Sequence, residues 1–206
     1  FLTVQCYPIV LNTVENIVYY YDTIEIHVSY SEGVPFYPLG SQYDLVIISS
    51  KDVTPTMQQL IDHKNEHNVR TFFKHADDIY NEYPGRDDAE KIKYFIKDAI
   101  ETHGILYVLL LGNIYSLPTR YSRLRFWRDP IDLPTDLYYA DIYDAYGDFC
   151  CWDANNNNVF GEFDRDMGNI DKVDLYADVM VGRIPYQNIV DLNLSLIHIW
   201  AADEED

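Results

Sequence analysis

The stretch WDANNNNVFGEFDRD places oxygen-bearing side chains at alternate positions: Asp153, Asn155 and Asn157, then Glu162. Hard cations such as calcium take about six to eight oxygens. The stretch opens like an EF-hand loop. However, Glu162 comes too early for its last position, and no glycine stands at the sixth. Asp164 and Asp166 could complete a different cage. The competing arrangement is an Asn-rich turn closed by side-chain bonds to its own backbone. The acidic surroundings favour calcium, which is the structural cofactor expected here.

Cys150 and Cys151 are adjacent, Cys6 is remote, and no zinc spacing such as C-x-x-C occurs. A thiol attacks only as thiolate, which needs a neighbouring base or positive charge. The Cys pair lies instead between an acidic segment and the Asp/Asn loop, and negative neighbours raise a thiol pKa. Both cysteines therefore read as structural. His63 and His67 stand four apart, but the order H-K-N-E-H lacks the glutamate directly after the first histidine that a zincin helix needs. The pair lies on the polar side of its helix and reads as a solvated face. His27, His75 and His103 are isolated. No catalytic residue is expected in this chain.

The formal net charge of −19 excludes two partner classes. Nucleic acids and anionic membranes both demand clustered Lys and Arg. No apolar run approaches a membrane span, and no signal peptide is visible at FLTVQCYPIVLN. The 48% hydrophobic content is enough for a buried core.

The supporting elements follow from periodicity. Ile24, Ile26 and Val28 alternate with polar residues, the pattern of a half-buried strand. Residues 31–41, SEGVPFYPLGS, read as a linker. YDLVIISS is a continuous apolar run and predicts a strand buried on both faces. A Thr cap, a Pro in the first turn, and Met57, Leu60, Ile61 and Lys64 at helical spacing predict a helix closed near Asn68. VRTFFKHA predicts the next strand. Asp87 or Asp88 caps a helix striped by Ile92, Phe95, Ile96, Ala99 and Ile100 and stopped by Gly104. ILYVLLLGN is a further buried strand. Strand, helix, strand, helix, strand over 43–113 is the signature of a parallel sheet with right-handed crossovers. Residues 114–134 read as a long loop, TDLYYADI as a short strand, and DLYADVMVGRIP as a closing strand and turn. Nothing like a phosphate loop follows Gly112.

Six stretches, in order, resemble the gingipain family of cysteine peptidases: YDLVIIS (43–49), LIDHKNEHNVRT (60–71), DDAEKIKYFIKDA (87–99), YVLLLGN (107–113), TDLYYADI (135–142) and YADVMVGRIP (176–185). The resemblance implies an α/β fold: a caspase-like or flavodoxin-like, mainly parallel sheet between helices, preceded here by a short β-rich N-terminal segment. It implies cysteine-type endopeptidase activity on protein or peptide substrates in the full-length enzyme, at an extracellular or cell-surface location. It implies that Asp136 lies in the substrate pocket, where a carboxylate pairs with a basic side chain; bracing of the turn after Pro134 and Thr135 is the alternative. The family commonly binds structural calcium. It usually carries Asp where Asn113 stands.

The family's catalytic His and Cys belong to Gly-His-Gly and Ala-Cys motifs beyond the GRIP turn. Neither occurs in these 206 residues. The expectation is therefore a fragment, inactive alone. Residues 1–35 are read as the tail of a prodomain or accessory domain, with processing near Ser31–Pro38. Residues 36–190 are read as the first α/β subdomain, and 191–206 as an aberrant or disordered end unlike the family. A non-catalytic calcium-binding or adhesion module on an α/β sheet is the alternative from another class.

Overall fold

The computed structural model describes residues 9–12, 17–20, 23–27, 42–50, 54–126, 128–186, 188, 190–193 and 195. The chain divides into two compact units, 1–36 and 37–206. The first unit holds an antiparallel pair, β1 (Ile9–Asn12) and β2 (Ile17–Tyr20), with Ile9 opposite Tyr20. The strand expected from the alternation at 24–28 is not there. Residues 23–27 are outside any strand, with Ile24 and Ile26 about half exposed. An alternating pattern becomes a strand only where its apolar face has something to cover, and an isolated two-stranded ribbon offers little. Val28 and the whole of the expected linker, with its processing site at 31–38, lie outside the described residues.

In the second unit the order is β3 (Leu45–Ser49), α1 (Pro55–Glu66), β4 (Thr71–His75), α2 (Ala76–Glu82), α3 (Asp88–His103), β5 (Tyr107–Leu111), β6 (Arg120–Arg125), β7 (Ile131–Thr135), α4 (Leu137–Ala140), β8 (Phe160–Asp164), β9 (Gly168–Asn169) and β10 (Met180–Ile184). Four strands form a wholly parallel sheet in the order β10-β5-β3-β4. This is the mainly parallel α/β sheet expected. Alternation along β3 explains why it is apolar throughout. Val46 and Ile48 pack with α3, whereas Leu45 and Ile47 pack with α1.

The helix ends follow their local chemistry. Thr54 accepts the Met57 N–H at 3.2 Å, and Pro55 occupies the first turn, where its missing N–H costs nothing. Asn68 takes φ 62° after the last turn. Asp87 accepts the Glu90 N–H at 2.9 Å at the start of α3, and Gly104 closes the helix at φ 71°.

Residues 114–134 are not one long loop. They contain β6 and β7, part of a second sheet ordered β7-β6-β8-β9. Pro134 stands in β7, an edge strand, where a missing N–H is tolerated. TDLYYADI is not a strand either. Leu137–Ala140 make one helical turn, which turns both Tyr138 and Tyr139 into the core, an arrangement a strand's alternation forbids. Truncating Ile47 to Ala is expected to cost about 2–5 kcal/mol, because the fully buried site sits between sheet and helix and cannot collapse. Urea unfolding should show a lower midpoint with an unchanged slope.

Candidate functional site

The strand order reverses between β3 and β5, because α1 and α3 pack on opposite faces. In open α/β sheets the crevice at such a point, at the strands' carboxyl ends, is where ligands bind. Ser49 ends β3, buried, with its Oγ 3.4 Å from the Tyr186 hydroxyl. Gly112 follows β5 at φ 147°, and a Cβ there would come within 2.7 Å of Ser116 Oγ. Only glycine fits. Asn113 accepts the N–H groups of Tyr115 at 2.9 Å and Ser116 at 3.1 Å, and donates to the Tyr186 carbonyl at 3.5 Å. An aspartate here would keep the turn but lose that donor.

Asp136 sits at this edge, just before α4. Its carboxylate is engaged from within the chain. Arg183 of β10 binds it with both arms, Nε to Oδ2 at 2.6 Å and Nη2 to Oδ1 at 2.8 Å, and Thr119 Oγ1 donates to Oδ1 at 2.9 Å. Arg183 Nη1 also donates to the carbonyls of Gly112 at 3.0 Å and Leu117 at 2.8 Å, and Nη2 reaches Pro118 at 3.2 Å. The guanidinium is 10% exposed and the carboxylate 27%. This geometry clamps β10, the turn after β5, and α4 together. It leaves a substrate cation no unengaged oxygen on Asp136.

The Asn-rich loop stands elsewhere, before β8. Asp153 Oδ1 accepts the Asn157 N–H at 2.9 Å, and Oδ2 accepts Asn158 N–H at 3.1 Å and pairs with Arg86. Burial alone would raise its pKa, but Arg86 and these two N–H groups hold it below the ordinary carboxylate value. Asn155 and Asn157 each turn an amide NH2 to Glu162 Oε2, at 3.0 and 2.7 Å. Their own oxygens accept the N–H groups of Asn157 and Val159. The four expected calcium ligands thus meet in one loop, where each has an oxygen that accepts an N–H group. Among the described residues, no group of three His, Cys, Asp or Glu is placed to hold a metal.

Neither described thiol is poised to attack. Burial pushes Cys150 up to about 12, although Lys93 opposes it. Cys151 Sγ donates to the Asp153 carbonyl at 3.4 Å. Cys6 lies outside the described residues. His67 Nδ1 meets the His63 carbonyl at 2.8 Å, on the exposed side of α1. Sequence reading missed Arg183 and the fully buried Lys93. Lys93 had a signal: it stands three and seven residues before Ile96 and Ile100, on the apolar stripe.

The sequence model described as peptidase family C25 matches residues 39–204. No curated protein matches. Two solved structures share part of the chain's path. One is a complex of the pro- and mature domains of Porphyromonas gingivalis RgpB, at 23% identity, 73% coverage of this chain, 26% of that one, and TM-score 0.47. The other is the Arg-specific cysteine proteinase gingipain R, at 22% identity, 73% and 26% coverage, and TM-score 0.48. The chain spans about a quarter of either relative's length.

Replacing Asp136 by Ala should destabilise the unit by about 3–5 kcal/mol, since it strands a nearly buried guanidinium. Adding Arg183→Met to that variant should cost less in total than the sum of the two single losses, because the pair is lost only once. Chemical denaturation of the two single variants and the double variant checks the coupling.

Proposed function

The chain belongs to peptidase family C25, a cysteine peptidase family, and we propose that residues 37–195 are the scaffold half of the catalytic domain of a secreted endopeptidase. The half carries the sheet and its carboxyl edge. The thiolate and its base come from sequence other than these 206 residues. One observation carries this reading: the switch-point edge is built from anchors, Arg183, Asp136, Gly112 and Asn113, rather than from a nucleophile beside a base. Membership of a peptidase family supports protein substrates. Among the described residues, no helix is long and apolar enough to cross a membrane.

On this reading Asp136 shapes the substrate wall through Arg183. A direct grip on a substrate guanidinium would require Arg183 to swing away first. In the intact enzyme, Asp136→Asn should keep the preference for the residue before the cleaved bond while lowering stability. Loss of a basic preference with stability intact would assign Asp136 to direct substrate contact instead.

The 206-residue chain alone should not cleave peptidyl-arginine or peptidyl-lysine substrates above a blank, nor take up a thiol-directed peptidase label. Turnover abolished by Cys150→Ala would overturn this. A cation in the Asn-rich loop would compete with Arg86 for Asp153, whose Oδ2 already pairs with that guanidinium. Calorimetric titration with calcium should therefore give no heat at up to about millimolar levels, the weakest range of extracellular calcium modules.

A further inference from the structure

His63 and His67 play no part in the peptidase scaffold. They stand one turn apart at the end of α1, with ring centres 4.3 Å apart and planes tilted by 34°. His67 is the C-cap residue and is exposed, whereas His63 is partly buried. The His67 ring is fixed in place. Its Nδ1 lies 2.8 Å from the His63 carbonyl, which also accepts the His67 backbone N–H at 3.1 Å. A carbonyl only accepts, so Nδ1 carries the proton. In the neutral imidazole the lone pair then falls on Nε2, across the ring from that bond. A ring whose one N–H is held by a backbone carbonyl is the usual form of a metal-binding histidine. His63 buries its Nδ1, so Nε2 is the nitrogen it offers to an ion.

The turn that presents these rings is braced. The Asn68 N–H donates to the Asn65 carbonyl at 3.1 Å, and the Val69 N–H donates to the Lys64 carbonyl at 2.9 Å. Asn65 Oδ1 accepts the Thr71 N–H at 2.8 Å, which ties the same turn to the start of β4.

We propose that His63 and His67 chelate one divalent transition ion through their two imidazoles, with water in its remaining positions. Residues four apart share a helix face. Two imidazoles side by side on one ion, with metal–nitrogen bonds of about 2.0–2.1 Å, hold their ring centres about 4.5–5 Å apart. The 4.3 Å spacing is a small ring rotation from that arrangement. The last turn of a helix carries the negative end of its dipole, and the net charge of −19 concentrates cations around the chain. Imidazole selects copper, nickel and zinc over calcium and magnesium. The glutamate that a zincin carries directly after its first histidine serves as a base, and ligation does not require it. The pair therefore binds an ion without making it hydrolytic.

The neighbouring charges leave room for the ion. Lys64 lines a cavity on another face of α1 with Leu60 and Val69. Asp62 Oδ1 accepts from Gln58 Nε2 at 2.8 Å, and Glu66 is exposed beside His67. Among the described residues, no third His, Cys, Asp or Glu completes a protein cage. The site is a two-point chelate that clamps the last turn of α1.

The test is calorimetric titration of the full chain with nickel chloride in a non-chelating buffer, with magnesium chloride as the control for surface carboxylates. The wild type should bind one nickel ion per chain, and magnesium should give no comparable heat. H63N and H67N should each weaken nickel binding by at least about tenfold, since disturbing a ligand's own partner already costs about that much. H27N, at an exposed histidine in the first unit, should bind as the wild type does. Nickel should raise the thermal midpoint of the wild type and of H27N and leave that of H67N unmoved. Zinc chloride, which is diamagnetic, should shift the ring resonances of His63 and His67 together at one equivalent. If H63N folds poorly, the exposed H67N still decides. Nickel affinity that survives H67N, affinity lost in H27N, or equal heat from magnesium would overturn the chelate.

Discussion

The carboxyl edge of the sheet rests on one guanidinium. Arg183 reaches out of β10 and spends its donors on a carboxylate and three backbone carbonyls. Those carbonyls belong to the turn after β5, whose other bonds run mainly through Asn113. Tyr139 adds one, donating to the Pro118 carbonyl at 2.7 Å. A buried carbonyl without a donor costs about 1–3 kcal/mol, so the turn and the strand depend on each other. Gly112 belongs to the same arrangement, since its φ of 147° strains any other residue and a side chain there would crowd Ser116 Oγ. Lysine could not replace Arg183. A single ammonium can neither fork onto Asp136 nor reach three carbonyls from one plane.

A similar logic links the second sheet to α3. Arg120 starts β6 nearly buried, forks onto the α3 cap residue Asp87 at 2.7 and 2.8 Å, and lies 3.8 Å over the Phe160 ring of β8. Arg86 joins the start of α3 to the Asn-rich loop through Glu90 and Asp153. The chain has 15 Lys and Arg against 34 Asp and Glu, yet several of its cations are drawn inward. Buried pairs add little net stability compared with apolar packing, whereas breaking one is costly. What these cations contribute is alignment. Each fixes the register of two segments that apolar contact alone would let slide, and the surface is left acidic as a result.

The parallel sheet was legible because its strands are buried on both faces, and its helices because caps and stripes agreed. Thr54, Asp87 and Gly104 all do locally what their types favour. The second sheet was not legible. β6 and β7 are rich in Arg and Pro, and their stability comes from partners distant in sequence, such as Ser122 donating to the Gly161 carbonyl across 39 positions. Tyr138 and Tyr139 form a helical turn because the core has room for both rings, a tertiary fact that no local pattern records. At the candidate site, Asp136 could be picked out from its motif, but its partner could not. Arg183 lies 47 positions away, and only the parallel pairing of β10 with β5 brings it to the same edge.

Asp136 also shows how a specificity reading and a structural one come to share a residue. An acid that must hold an arginine bidentately is built the same way whether the arginine arrives on a substrate or on β10. The choice is made by exposure and by competing donors. Here the guanidinium that fits is already covalently part of the fold, held at an effective concentration no diffusing peptide matches. A substrate would also have to leave the Gly112 and Leu117 carbonyls unpaired in displacing it. The edge is therefore better suited to hold a wall in place than to open for a cation. In the proposed reading the chemistry of a peptidase stands beside this wall, against a sheet whose carboxyl ends are already braced.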